Sequence, residues 1–149
     1  MALSAACSAP QVVRPSLSAL EQAIELRERG LLPEAEAQLR VLHQRQEPGA
    51  LTALVETLMR RGHHAEAADL LRPELLARPD DPDLALALAR AADGCGRVDE
   101  ALTAYARRLT LSPQDPESAS RMSELLLLKG DAARASQVAH AGLDRKITR

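Results

Sequence analysis

The sequence predicts an all-α chain built from about four helix-turn-helix repeats, and three observations carry that expectation. Of the 149 residues 46% are hydrophobic but only 1% aromatic, with Tyr105 the single aromatic ring. Such a core is filled by Leu and Ala, which suit close-packed helices, and the poverty of β-branched and aromatic residues argues against sheet. Gly30, Gly62, Gly96 and Gly130 then fall 32, 34 and 34 residues apart, each followed five residues later by an alanine: Ala35, Ala67, Ala101 and Ala135. Pro48, Pro82 and Pro116 repeat at 34, and Pro79 and Pro113 form another pair at that distance. A fixed period of this length is the sequence mark of a solenoid.

The elements follow in chain order. Residues 1–15, MALSAACSAPQVVRP, lack the basic start and long apolar run of a signal peptide and read as a disordered leader. The repeat domain is expected over 16–145, in units of about 16–47, 48–81, 82–115 and 116–145, with a short tail over 146–149. Each repeat-initial proline suits the first turn of a helix, where its missing N–H leaves nothing unpaired. Asp81 and Asp115 precede two of them as N-caps, and Asp83 and Glu117 complement the helix dipole. The first helix should end at about the glycine, which tolerates the left-handed conformation. The second should begin near Pro33, Ala65, Asp99 or Ala133, with Glu34, Glu66 and Glu100 at its N-terminus in three units and Arg134 in the fourth.

Apolar spacing agrees with this division. Leu51, Leu54, Val55 and Leu58 follow the i, i+3, i+4, i+7 pattern of a buried helix face; Ala85, Leu88, Ala89 and Ala92 take the same places one unit on, and Ala119, Met122, Ser123 and Leu126 the next. On second helices Ala67 leads to Leu71 and Leu75, and Ala101 to Tyr105 and Leu109. The first unit is two residues short and has Gln22 at an apolar place, and the fourth has Ala139 where Leu71 and Tyr105 stand. End repeats are commonly atypical in this way.

Chemistry is sparse. His63, His64 and Glu66 form the one dense group of candidate ligands, which supports an alternative reading as a metal-binding or enzyme-linked accessory protein. Adjacent histidines point in different directions, however, whereas a zinc pair on one helix face needs i, i+4 spacing. Their counterparts in the other units are Leu31-Leu32, Arg97-Val98 and Asp131-Ala132, so both histidines are expected in a solvated turn. No nucleophile elbow or glycine-rich phosphate loop is present, and Cys7 and Cys95 form no metal spacing. No catalytic residue, metal or cofactor is assigned, and the chain is read as a non-enzyme. Nineteen basic and 21 acidic residues are interspersed with net charge −2, which disfavours nucleic acid. No apolar run approaches the ~20 residues of a membrane span, so no membrane insertion is expected. Two distant cysteines fit a reducing, cytoplasmic compartment.

The run Gly-x4-Ala, a larger residue four positions later and a proline at the repeat end resembles the tetratricopeptide repeat. GRVDEALTAYARRLTLSPQDP (Gly96–Pro116) and GHHAEAADLLRPELLARPDDP (Gly62–Pro82) carry the likeness best. The resemblance implies a right-handed α-solenoid whose concave face, lined by first helices, binds a partner peptide, helix or subunit. It places Leu20, Ile24, Arg27, Thr52, Glu56, Met59, Leu86, Arg90, Arg121 and Glu124 on that face. A carboxylate clamp of Lys, Arg and Asn, used by some members, is absent: the chain has no Asn and only two lysines, Lys129 and Lys146. Val138 and Leu143 mark a candidate end interface, because repeat arrays usually finish on a polar capping helix. That end would let the chain self-associate as a homo-oligomeric scaffold. The Ala-, Leu- and Arg-rich composition resembles that of high-GC bacteria and suggests an adaptor, chaperone or assembly factor of a secretion, pilus or envelope complex.

Overall fold

The computed structural model describes residues 16–147, with side chains through residue 141, so the expected leader over 1–15 and the side chain of Leu143 lie outside what is described. Eight helices follow one another: α1 (Ala19–Glu28), α2 (Leu32–Gln44), α3 (Ala50–Arg60), α4 (His64–Ala77), α5 (Pro82–Gly94), α6 (Val98–Leu111), α7 (Pro116–Leu128) and α8 (Ala132–Ile147). No strand occurs among the described residues. The helices pair as helix-turn-helix repeats and stack in chain order into an α-solenoid around one continuous Ala/Leu core.

Each repeat turns through the same device. Gly30, Gly62, Gly96 and Gly130 have φ between 76° and 81°, and the next residue's N–H reaches back to Leu26, Leu58, Ala92 or Leu126 at 2.8–2.9 Å. This double-bonded reversal satisfies the carbonyls at the end of the first helix. The residue after the glycine is at once the N-cap of the second helix, which therefore starts one residue earlier than the sequence suggested. His64 is thus not in the turn: it opens α4, and only His63 lies outside the helix.

Pro48 departs from the expected pattern. Pro82 and Pro116 open α5 and α7, where Asp81 accepts from the N–H groups of Asp83 and Leu84, and Asp115 from that of Glu117. In the preceding repeat the capping position holds Glu47, too long to cap. There Pro48 and Gly49 form a turn, and α3 begins two residues beyond the proline with Gly49 (φ 85°) as its cap. A Cβ on Gly49 would lie 3.2 Å from Leu20 Cδ2, so the turn also sits tightly against α1.

The core follows the apolar spacing. Leu54, Val55 and Leu58, the four positions from Ala85 to Ala92, Ala67, Leu71, Ala101 and Tyr105 are all buried. Each fully buried leucine, such as Leu39, Leu54 or Leu58, contributes about 1.5–3 kcal/mol. Gln22 is exposed and Ala139 likewise, so the atypical end repeats bury less at those places.

Charge pairs then tie consecutive repeats. Between second helices Arg40 donates to Glu66, Arg72 to Glu100 and Arg97 to Asp69. Between first helices Arg27 pairs with Glu56 and Arg60 with Glu28 across α1 and α3; Arg90 pairs with Glu117 and Arg121 with Asp93 across α5 and α7. Exposed pairs of this kind are worth only about 0–1 kcal/mol each, so they fix register more than they add stability.

Two predictions follow from the turns and the pairs. Gly96→Val meets no neighbouring atom within 4 Å, so its cost is that of a left-handed backbone alone. A loss of about 1–2 kcal/mol or more is expected in urea unfolding, with Gly96→Asn losing less. Glu36, 6% exposed, accepts from Arg40 and Arg61. Burial raises its pKa, but those hydrogen bonds outweigh burial and hold the carboxyl below its ordinary value. A lowered folded pKa contributes stability that is complete above the ordinary carboxylate value and is lost as pH falls through the lowered one. Glu36→Gln should therefore cost about 1–2 kcal/mol at pH 7 and flatten the acid limb of a stability–pH curve.

Candidate functional site

A groove of ≈ 940 Å³ opens between α3 and α5. One wall is α3, through Leu51, Thr52, Val55, Glu56, Met59 and Arg60; the other is α5, through Asp83, Leu84, Leu86, Ala87 and Arg90. Helical spacing explains the first wall, because residues one and four apart cover a single stripe along the whole of α3, about 13 Å. Leu71 and Glu74 of α4, Arg78 just after it, and His43 and Glu47 also line it. The lining mixes apolar and charged side chains.

Five of the residues assigned to a concave face are brought together here: Thr52, Glu56, Met59, Leu86 and Arg90. The other five lie outside the groove. Leu20 and Ile24 are half-buried against the core, and Arg27 is held by Glu28 and Glu56. Arg121 is engaged by Asp93 and by Glu124, so neither member of that pair stands free. The hydrogen bonds it donates to Asp93 raise the Arg121 pKa, and the same carboxylate accepts from the Tyr105 hydroxyl at 3.3 Å. Burial, with Asp93 alongside, pushes Tyr105 up to about 12. Val138 is half-buried and faces a hollow shared with Ala106 and Leu109 of α6 and Met122 of α7.

Leu51, Val55, Leu84 and Ala87 belong to the groove and were read from sequence only as core or not at all. The signal was present for Leu51 and Val55, which with Met59 make an i, i+4, i+8 series flanking the buried stripe. Nothing in the sequence pointed to Glu74 and Arg78, which enter from the second helix.

The histidines separate. His64 lays its ring over Gly94, where a Cβ would come within 2.7 Å, and its Nδ1 lies 3.2 Å from Met59 Sδ. His63 instead approaches Glu36, its Nδ1 3.7 Å from Oε2, and ligand atoms of Glu36, His63 and Glu66 all lie within 4.8 Å of one another. Glu36 comes from the preceding repeat, which the sequence reading of this cluster did not include. Arg40 donates to Glu66 and to Glu36, Arg61 donates to Glu36, and the Arg40 hydrogen bond holds Glu66 below its ordinary pKa. A cation entering this cluster would have to displace two guanidinium groups from the carboxylates. The geometry is that of a seam between α2 and α4.

Residues 58–120, from the end of α3 into α7, match the tetratricopeptide repeat family model. A comparison with curated proteins finds no match. Among solved structures, MamA of Desulfovibrio magneticus RS-1 superposes with a TM-score of 0.76 at 18% identity, over 88% of this chain and 75% of that one. MamA AMB-1 gives 0.76 at 21%, over 88% and 73%. A tetratricopeptide repeat protein from Parabacteroides merdae gives 0.76 at 20%, over 88% of this chain and 53% of its own. At such identities the likeness is one of fold. The glycine turns and stacked helix pairs continue on both sides of the matched stretch, so residues 58–120 match the tetratricopeptide repeat family and the chain as a whole shares the fold of such proteins.

Proposed function

We propose that the protein is a non-enzymatic interaction module that holds a peptide or helical segment of another protein in the α3–α5 groove, as an adaptor, chaperone or assembly factor of a larger complex. The observation that carries this reading is the groove itself, lined by apolar and charged side chains together and walled by two first helices. Such a surface matches how proteins of this kind recognise segments, by apolar anchors in a preformed channel with polar groups fixing orientation. No helix among the described residues is long and apolar enough to cross a membrane. Thr52 is exposed on the groove wall, so Thr52→Trp fills the channel without disturbing the core. Partner affinity should fall at least about ten-fold, or ~1.4 kcal/mol, with unchanged helicity by circular dichroism. Unaltered capture by this variant would move binding to another face.

A second reading, self-association, is favoured by Leu127 and Leu128 at the end of α7, which are 58% and 80% exposed. Adjacent exposed leucines mark contact surfaces more often than isolated ones. If they join two copies, sedimentation velocity should show a concentration-dependent dimer that Leu127→Ser/Leu128→Ser converts to monomer.

A further inference from the structure

The groove lies at the one junction between first helices that has no ion pair of its own among the described residues, and the 34-residue register shows why. Across α5 and α7, Arg90 makes a two-pronged contact with Glu117 at 2.7 and 2.5 Å, and Arg121 grips Asp93 at 2.6 and 3.0 Å. One repeat earlier, across α3 and α5, Glu56 stands where Arg90 stands and Asp83 where Glu117 stands. Met59 and Ala87 replace Asp93 and Arg121. The junction therefore presents two carboxylates to each other beside an apolar strip, and the arginine that closes the next junction is missing from it. Both carboxylates and both apolar residues line the groove.

We propose that the partner supplies this missing cation: the groove takes a segment of another protein in which one Lys or Arg side chain enters between Glu56 and Asp83, flanked by apolar side chains that cover Val55, Met59 and Ala87. The inference rests on the reading that the groove holds a protein segment, and it assigns that segment its chemistry. Glu56 already accepts from Arg27 of α1, and Asp83 from Arg108 of α6, neither of which lines the groove. A carboxylate has roughly four acceptor sites, so each retains capacity for a second donor. Charge complementarity points the same way. The groove carries five carboxylates, Glu47, Glu56, Glu74, Asp81 and Asp83, against three arginines, Arg60, Arg78 and Arg90. Those arginines are engaged by Glu28, by Glu74 and Asp81, and by Glu117 respectively, while Glu47 has no ion-pair partner among the described residues. Opposite charge in the incoming segment would fix its register along α3, and a like charge would be repelled.

The test uses the full chain and an array of acetylated, amidated decapeptides with Leu, Ala, Ser and Gln varied around one fixed central residue, Arg, Gln or Glu. The Arg-centred set should bind at least ten-fold tighter than the Gln-centred set, and the Glu-centred set should not bind. That preference should vanish in Glu56→Gln/Asp83→Asn and in Asp83→Arg, which supplies the cation from the chain itself, with wild-type helicity in both. Equal binding of Arg- and Gln-centred peptides, all lost in Thr52→Trp, would overturn the cation and leave the groove standing. An Arg preference that survives both variants would place charge recognition elsewhere and also overturn it. If no set binds, or Thr52→Trp changes nothing, the groove reading itself falls and takes this inference with it.

Discussion

The close approach of two helices at an alanine is the constraint on which the rest of this structure depends. Ala35, Ala67 and Ala101 have no exposed surface and Ala135 only 3%, and each sits five residues past the glycine that reverses the chain. Because the turn is so short, the two helices of a pair leave it already in contact, and a side chain larger than Ala at that point would force them apart. With almost no aromatic residues to fill wider spaces, the whole core is built to this tight spacing. Tyr105 is the exception, and its burial has a consequence. A buried hydroxyl needs a partner, Asp93 provides one, and the same carboxylate receives Arg121 from the next repeat. The packing of one core side chain thereby anchors the charge pair that sets α7 against α5.

Those pairs explain the shape of the surface better than their individual energies would suggest. Between α1 and α3, and between α5 and α7, arginine meets carboxylate, and the helices stay joined. Between α3 and α5 the same register positions hold Glu56 and Asp83, with Met59 and Ala87 beside them, so no ion pair joins the two helices among the described residues. The groove is a gap in a repeated pattern of attraction.

Much of the fold could be read from residue types whose physics is local. A glycine, an alanine and a proline at a fixed period each constrain the backbone or a contact wherever they fall. Ser18 and Glu21 form a capping box at the start of α1, which the sequence reading did not pick out although S-x-x-E is its pattern. Pro48 misled because Glu47, too long to cap, stands where Asp81 and Asp115 cap the later helices, and α3 starts on Gly49 instead. The site was less legible, since it depends on which charges from different repeats find each other. Arg90 and Arg121 look free in the sequence, yet each is held by a carboxylate 27 or 28 residues away. Glu36 looked unremarkable, yet it is the buried centre around which Arg40, Arg61 and His63 gather.

The position of the groove also bears on how it can respond to an occupant. On the opposite side of the same two repeats, α4 and α6 are tied by Arg72 to Glu100 and by Arg97 to Asp69. A segment wedged between α3 and α5 therefore meets one side that is untied and another that is joined at two points. Widening or narrowing the groove turns the first pair of repeats against the second about that joined seam, without separating them. An occupant that buries the apolar strip gains about 25 cal/mol for each Å² it covers, and it gains most at the helix spacing that fits it best. In a solenoid each repeat touches only its neighbours, so a small rotation at this one junction is carried undiminished to both ends of the chain.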